Sequence, residues 1–245
     1  MAGVLALHGV KAMSFRKRLA AVLAVIGVAS LVTFLQVEAN HETDDQIGDD
    51  AVWNAGADDL HAIDQACRNS STTEYRECFI DQMGGYASSD AVAFTQVLAS
   101  QKPQRLGYLA GMRESGIVDL GYVAYPGNAQ PSQGWALMNG VPALINVDDL
   151  SLLPRAGMEK DAHYRALRND HPTLQLAVMG DQRQPGSSPQ VEPLGEGGNR
   201  FVVPYSLKED CTGCVPLALA NFGFDFDAAG QLLGVKFLGI QSAQP

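Results

Sequence analysis

Cys211 and Cys214 stand three positions apart in KEDCTGCVPLALANF, between a charged turn and an apolar run. Three chemistries use such a pair: thiol–disulfide exchange, half of a zinc site, or a covalent clip across a turn. A reactive thiol needs a helix N-terminus behind it, where the macrodipole favours the thiolate. Here Cys214 is followed by Val215, Pro216 and an alternating strand pattern, and Glu209 and Asp210 place negative charge beside Cys211. Zinc needs a second ligand pair, but Cys67 and Cys78 are eleven positions apart and His163 and His171 eight apart, neither a knuckle spacing. The expectation is therefore a disulfide closing the short loop of Thr212 and Gly213. A loop held in shape before its partner arrives loses less entropy on binding, which makes Asp210, Thr212 and Gly213 the binding candidates.

Other groupings yield less. Asp225 to Gly230, DFDAAG, has the acids of an EF-hand start, but Ala229 occupies the fifth position and Lys236 the twelfth, where a bidentate Glu is required. Asp148 and Asp149 are adjacent, so on a strand they point to opposite faces and suit a turn cap better than an acid–base pair. No G-x-S-x-G, P-loop, G-x-G-x-x-G or H-E-x-x-H pattern occurs. His41 falls in an acidic tail, and His61, His163 and His171 fall on helical faces or a helix end with no nucleophile beside them. Arg105, Arg113 and Glu114 read as solvated charges near strand ends, and Tyr108, Tyr122, Tyr125 and Trp135 as sheet packing. This reading assigns no catalytic residue, metal or cofactor.

The elements that position the cysteines begin after an export signal. Arg16, Lys17 and Arg18 precede the apolar run Leu19 to Leu35, and Val37 and Ala39 fit the small-residue positions of a cleavage site before Asn40. Met13 is the expected start, and residues 1–39 the signal. The competing expectation is an uncleaved inner-membrane anchor, because a run of about 17 residues is at the lower limit for a span. Either route places the rest outside the cytoplasm, periplasmic or secreted, where four cysteines read as two disulfides. The short pairings, Cys67 with Cys78 and Cys211 with Cys214, are the expected ones. Beyond residue 39 the chain holds 13 basic and 26 acidic residues, a charge of −13. Such a surface repels polyanions, so nucleic acid is excluded as a partner; an envelope component or another protein fits better. Membrane contact is expected only through an uncleaved signal.

Residues 40–50, NHETDDQIGDD, are too polar to bury surface and read as an acidic linker. Residues 51–102 read as helical: Leu60, Ile63, Ala66 and Cys67 recur at helical spacing, Ser71 and Glu74 form a capping box, and a third helix starts near Ser89. A bond from Cys67 to Cys78 would staple this segment. From residue 103 to 242 short β-branched and aromatic runs alternate with Gly, Asn and Pro. Asn139-Gly140 predicts a type I′ hairpin, and Pro142 weakens its second strand or places it at an edge. One helix is expected within MEKDAHYRALRNDHP, a long loop over Gln182 to Asn199, and a closing antiparallel meander from Arg200. In that meander Phe222, Phe224 and Phe226 face a core while Asp225 faces away, and Asp227 to Gly230 turns into the last strand. The fold class is α+β: a disulfide-stapled helical segment followed by a mainly antiparallel β-sheet with one packed helix.

The order of strand, cystine-closed loop, strand and hairpin over Arg200 to Ile240 resembles the periplasmic lysozyme-inhibitor family, in which such a loop enters an enzyme cleft. That family's loop is longer and carries a histidine, whereas CTGC has none. The resemblance implies a non-catalytic inhibitory or binding module and a basic enzyme as partner. The alternative is an extracytoplasmic hydrolase whose Asp and His residues meet only in three dimensions.

Overall fold

A computed structural model of the chain describes residues 46–101, 106–126, 132–179, 188–211 and 214–243. The expected signal, its cleavage site and most of the acidic linker lie outside the described residues, as do Thr212 and Gly213. From Ile47 onward the chain forms one compact unit. Its class is α+β, with a disulfide-linked helical segment and antiparallel sheets.

Three helices come first: α1 (Ala57–Cys67), α2 (Thr72–Met83) and α3 (Ser89–Gln101). The capping box forms as expected, with Ser71 N–H donating to Glu74 Oε2 at 2.9 Å and Glu74 N–H returning to Ser71 Oγ. Cys67 and Cys78 are joined, their Cα atoms 5.7 Å apart, and Tyr75 Oη donates to Asp64 Oδ1 beside them. Two cross-links thus hold α1 to α2, a pair too short to bury much surface alone. Ile63, Phe79 and Met83 then pack with Trp53, whose ring lies 4.8 Å from that of Tyr108. Phe94 and Leu98 of α3 join Leu109, Val123, Tyr125 and Met138 in a second cluster.

The strands divide into two sheets rather than one. The first is an antiparallel meander of β1 (Tyr108–Arg113), β2 (Asp119–Tyr125), β3 (Ser132–Met138) and β4 (Leu144–Asn146), in that order. The second comprises β5 (Leu174–Val178), β6 (Gln190–Pro193), β7 (Asn199–Glu209), β8 (Ala218–Phe226) and β9 (Leu232–Ser242). Its order is β5-β7-β8-β9, with β6 pairing the other half of β7. Leu120, Leu137, Ile145 and Val147 from the first sheet meet Phe201, Val203, Tyr205 and Phe222 to Phe226 from the second in the largest core cluster. Apolar residues on alternating positions of both sheets therefore dictate a face-to-face arrangement. A parallel bridge between Val141 and Gln231 ties the two sheets together.

Three further expectations change. The helix within MEKDAHYRALRNDHP is two, α4 (Arg155–Lys160) and α5 (Ala162–Asp170), because Asp161 is extended and its Oδ1 accepts from His163 N–H and Tyr164 N–H. An Asp that can cap a new helix competes with continuing the old one. The Asn139-Gly140 hairpin exists, but Met138 pairs with Leu144 across a five-residue connection in which Val141-Pro142 is cis. Asn139 alone of the pair has positive φ, and its side chain bonds Asp119 Oδ2 and the backbone of Ile47. The long loop contains β6, recruited by backbone pairing to Arg200–Val202 despite its exposed side chains. Pro142 does precede the edge strand of its sheet, as expected.

Asp225 takes its expected direction. Phe222, Phe224 and Phe226 are buried and Asp225 points the other way, but it is only 1% exposed. Arg200 of β7 grips it through two hydrogen bonds of 2.6 and 2.9 Å, and Lys236 of β9 approaches at 2.8 Å. Alternation predicts direction, not exposure; long cations on the flanking strands cover the carboxylate. The Asp227–Gly230 turn forms as expected, with Gly230 at φ +77° and Asp227 Oδ1 accepting from Ala229 and Gln231 N–H. In β9, Leu238 and Leu233 are extra residues with no partner in β8, and each is followed by a glycine of positive φ. These are bulges, and they bend the outermost strand of the second sheet.

Candidate functional site

The β7–β8 connection carries the sequence-predicted site. Cys211 and Cys214 are joined with Cα atoms 5.6 Å apart, so both short pairings hold. Asp210, the one described member of the three binding candidates, is exposed and its Oδ1 accepts from Gln175 Nε2 of β5 at 2.9 Å. Glu209 lies 3.2 Å from His171 Nδ1, just past α5. Beyond the disulfide Val215 is 76% exposed, and Leu217 N–H returns to Leu207 O to restart the ladder. The end of this hairpin is thus a closed, acidic tip with one bare aliphatic side chain.

A second feature was not anticipated from the sequence. Between the β4 edge of the first sheet and the β8–β9 end of the second lies a cleft of about 310 Å³, at the lower end of the roughly 300–1,000 Å³ usual for ligand pockets. Leu144, Ile145, Phe224, Leu232 and Val235 supply its apolar lining. Pro142 and the 42% exposed Leu152 also line it. The Val141–Gln231 bridge fixes its geometry, with Val141 N–H donating to Gly230 O at 2.8 Å and Leu232 N–H to Val141 O at 3.0 Å.

Polar groups in the cleft are few and mostly held. Gln101 Nε2 donates to Leu144 O, and Asp149 Oδ1 accepts from Ser151 N–H, capping a short 3₁₀ turn as the sequence suggested. Asn146 borders the cleft from β4, with its side chain on the face of the strand opposite Ile145. It is 3% exposed, its Oδ1 accepts from Asp148 N–H at 3.0 Å, and its Nδ2 has no protein partner. The Asp148 N–H dictates which way the amide faces, so the orphan atom is the donor. Leaving such a donor buried and unmatched costs about 1–3 kcal/mol. The signal in the sequence was an amide inside the apolar run VPALINV, a residue with no reason to be there as packing.

Next to it, Asp148 is 1% exposed and accepts from Tyr125 Oη at 2.7 Å. Tyr205 Oη donates to Val147 O at 2.6 Å, and burial, with the nearby charges of Asp148 and Asp149, pushes its ionisation well above the usual tyrosine range. Asp148 and Asp149 lie in the turn after β4 rather than on a strand; Asp148 is buried and Asp149 lines the cleft. On the far face of the second sheet the Arg200 hydrogen bonds hold the Asp225 carboxyl below the usual range against its burial, with Lys236 assisting.

Among the described residues no three His, Cys, Asp or Glu side chains are grouped to hold a metal ion, and no helix is long and apolar enough to cross a membrane. None of the cleft-lining residues is a histidine, and Asp210 of the cystine tip is not among them. Comparison of the chain with protein-family models, with curated proteins and with solved structures returns no match.

Proposed function

We propose that this chain is a non-catalytic binding module of the cell envelope, periplasmic or secreted, that holds its ligand in the cleft between the two sheets. The observation that carries the reading is the cleft itself, with an apolar lining of Leu144, Ile145, Phe224, Leu232 and Val235. A mostly apolar cavity with few convergent polar groups is the usual form of a binding site. Two disulfides support an oxidising compartment. Against the alternative, an Asp/His hydrolase, stands the composition of the cleft: among the described residues none that lines it is a histidine, serine, threonine or cysteine.

The test is thermal unfolding of the full, oxidised chain against a panel of small apolar compounds, with Val235→Phe as the filled-cleft control. Binding to the folded state raises stability, and with it Tm, with the logarithm of ligand excess, about 2.7 kcal/mol at a hundredfold excess over Kd. Compounds that raise Tm in the parent and not in the variant, with no turnover, support the reading. Sustained ester or amide hydrolysis that Val235→Phe abolishes would overturn it in favour of the hydrolase.

A second reading, inhibition of an enzyme by the cystine-closed tip, is favoured by Val215, which is 76% exposed beside Cys214. Val215→Asp would weaken such a complex while leaving small-molecule binding in the cleft unchanged.

A further inference from the structure

We propose that the inter-sheet cleft takes an extended segment of polypeptide, which lies along the open edge of β4 and places one branched apolar side chain between the sheets. This rests on the reading of the cleft as the binding site and adds the chemistry of what enters it.

Among the described residues β4 pairs only with β3, so its other edge ends the first sheet. Ladder geometry decides which backbone groups face that edge, because alternate residues of an antiparallel pair turn their N–H and C=O toward the partner strand. Asn139 N–H donates to Ala143 O at 2.9 Å across the β3–β4 connection, so Ala143 and Ile145 point at β3 while Leu144 and Asn146 point outward. The outward carbonyls agree: Leu144 O accepts from Gln101 Nε2, and Asn146 O accepts from Asp149 N–H. Gln101, Leu144, Ile145, Asn146 and Asp149 all line the cleft. Successive strand residues alternate between faces, Leu144 packing on the helix side and Ile145 between the sheets, so a cleft that touches all of Leu144 to Asn146 runs along the strand's edge.

Both outward carbonyls are thus already held, whereas the outward N–H groups of Leu144 and Asn146 have no acceptor among the described residues. Two donors remain, about 6.6 Å apart by the rise of a strand. One carboxylate or hydroxyl reaches only one of them, but carbonyls i and i+2 of an extended peptide carry the same spacing and reach both. Beside the donors, Ile145, Phe224, Leu232 and Val235 form a hydrocarbon wall, and about 310 Å³ holds one large apolar side chain with its adjoining backbone and little more. Pro142 and Leu152 line the cleft before and after β4, and both are exposed. A strand laid along β4 therefore runs out at both ends, as a segment within a longer chain does.

The test titrates four probes into the full, oxidised chain while NMR follows the methyl groups of Leu144, Ile145, Leu232 and Val235 and the backbone amide protons of Leu144 and Asn146. Acetyl-Ser-Leu-Ser-amide represents the internal segment, Ser-Leu-Ser with charged termini a free small peptide, acetyl-Ser-Gly-Ser-amide the backbone alone, and 2-methylpentane the side chain alone. The blocked leucine peptide is expected to bind about tenfold or more tightly than each of the others, roughly what one buried side chain or a pair of hydrogen bonds supplies. It should move the methyl groups and shift both amide protons downfield, whereas the hydrocarbon should move the methyl groups alone. Asn146→Pro removes one outward N–H and no ladder bond, since proline is tolerated on an edge strand where its N–H would face away from the sheet. That variant is expected to bind the blocked peptide about fivefold or more weakly and 2-methylpentane unchanged. Should it fail to fold, the parent decides alone: a peptide that moves the methyl groups and neither amide proton would overturn the edge pairing. 2-Methylpentane binding as tightly as the blocked peptide would overturn the peptide assignment while leaving the cleft as a binding site, and tightest binding of free Ser-Leu-Ser would overturn the internal segment. Absence of methyl shifts with all four probes would remove both the assignment and the proposed site.

Discussion

The position a Cβ would take on Gly134 is already filled by the carboxylate oxygen Oδ2 of Asp148. Gly134 lies in β3 and Asp148 just beyond β4, so the missing side chain on one strand makes room for a buried acid arriving from its neighbour. Tyr125 of β2 completes the arrangement by donating its hydroxyl to the same oxygen.

Gly134→Ala is therefore expected to destabilise strongly, by roughly 2–4 kcal/mol, since it combines steric overlap with displacement of a buried, hydrogen-bonded charge. Tyr125→Phe keeps the ring and removes the hydroxyl, costing about 1.5–3 kcal/mol as the loss of a hydrogen bond to a charged group. Urea denaturation of both variants checks the order; a neutral Gly134→Ala would mean that the acid is free to move aside.

The two disulfides should contribute unequally. Chain-entropy scaling gives about 3 kcal/mol for the loop closed by Cys67 and Cys78 and about 1.7 kcal/mol for the smaller one closed by Cys211 and Cys214. Replacing each pair by alanines and comparing denaturation midpoints tests this. Cys67 is fully buried, so its replacement also leaves unfilled space and widens the gap.

Asp225 gives the acid limb of the stability profile. Its folded carboxyl is held below its unfolded value, first by the Arg200 hydrogen bonds. Its contribution is thus complete above the unfolded carboxylate pKa of about 3.9 and is lost as pH falls through the lower, folded value. Asp225→Asn should flatten stability against pH below about pH 4. At neutral pH it should cost roughly 2–4 kcal/mol by leaving Arg200 without its charge partner. Lys236→Ala, at a 63% exposed side chain, should cost less than about 1 kcal/mol.

Asp161 separates α4 from α5 by capping the second. Asp161→Ala removes the acceptor for His163 and Tyr164 N–H and is expected to cost about 1 kcal/mol, with Asp161→Asn close to neutral. Thermal unfolding of the two variants separates capping from charge.

Much of the architecture was legible because it rests on local rules. The Ser71–Glu74 box, the start of α3 at Ser89, the Asp227–Gly230 turn and the alternation of Phe222, Phe224 and Phe226 each use neighbours in the chain. The division into two sheets was not legible, since strand runs do not state which strands pair. Asp161 was hidden by the apolar spacing on either side, which one helix satisfies as well as two. The covering of Asp225 depends on Arg200, twenty-five positions away, and on Lys236. The same holds for the cleft, whose walls are contributed by β4, β8 and β9. Asn146 left a local trace, as a polar residue in an apolar strand, but its side chain lies on the face of β4 opposite Ile145 and the cleft's apolar wall.

The bulges at Leu233 and Leu238 have a bearing on how crowded copies of this chain behave. β9 is the last strand of its sheet, and Leu233 is 64% exposed on it, a combination that ordinarily invites a neighbouring molecule to add its own strand. Between the interruptions β9 keeps runs of no more than four residues in register with β8. A strand laid along the outside would lose alignment at each glycine kink before it could propagate, so the rim that looks most prone to fibril growth is built in segments too short to template one.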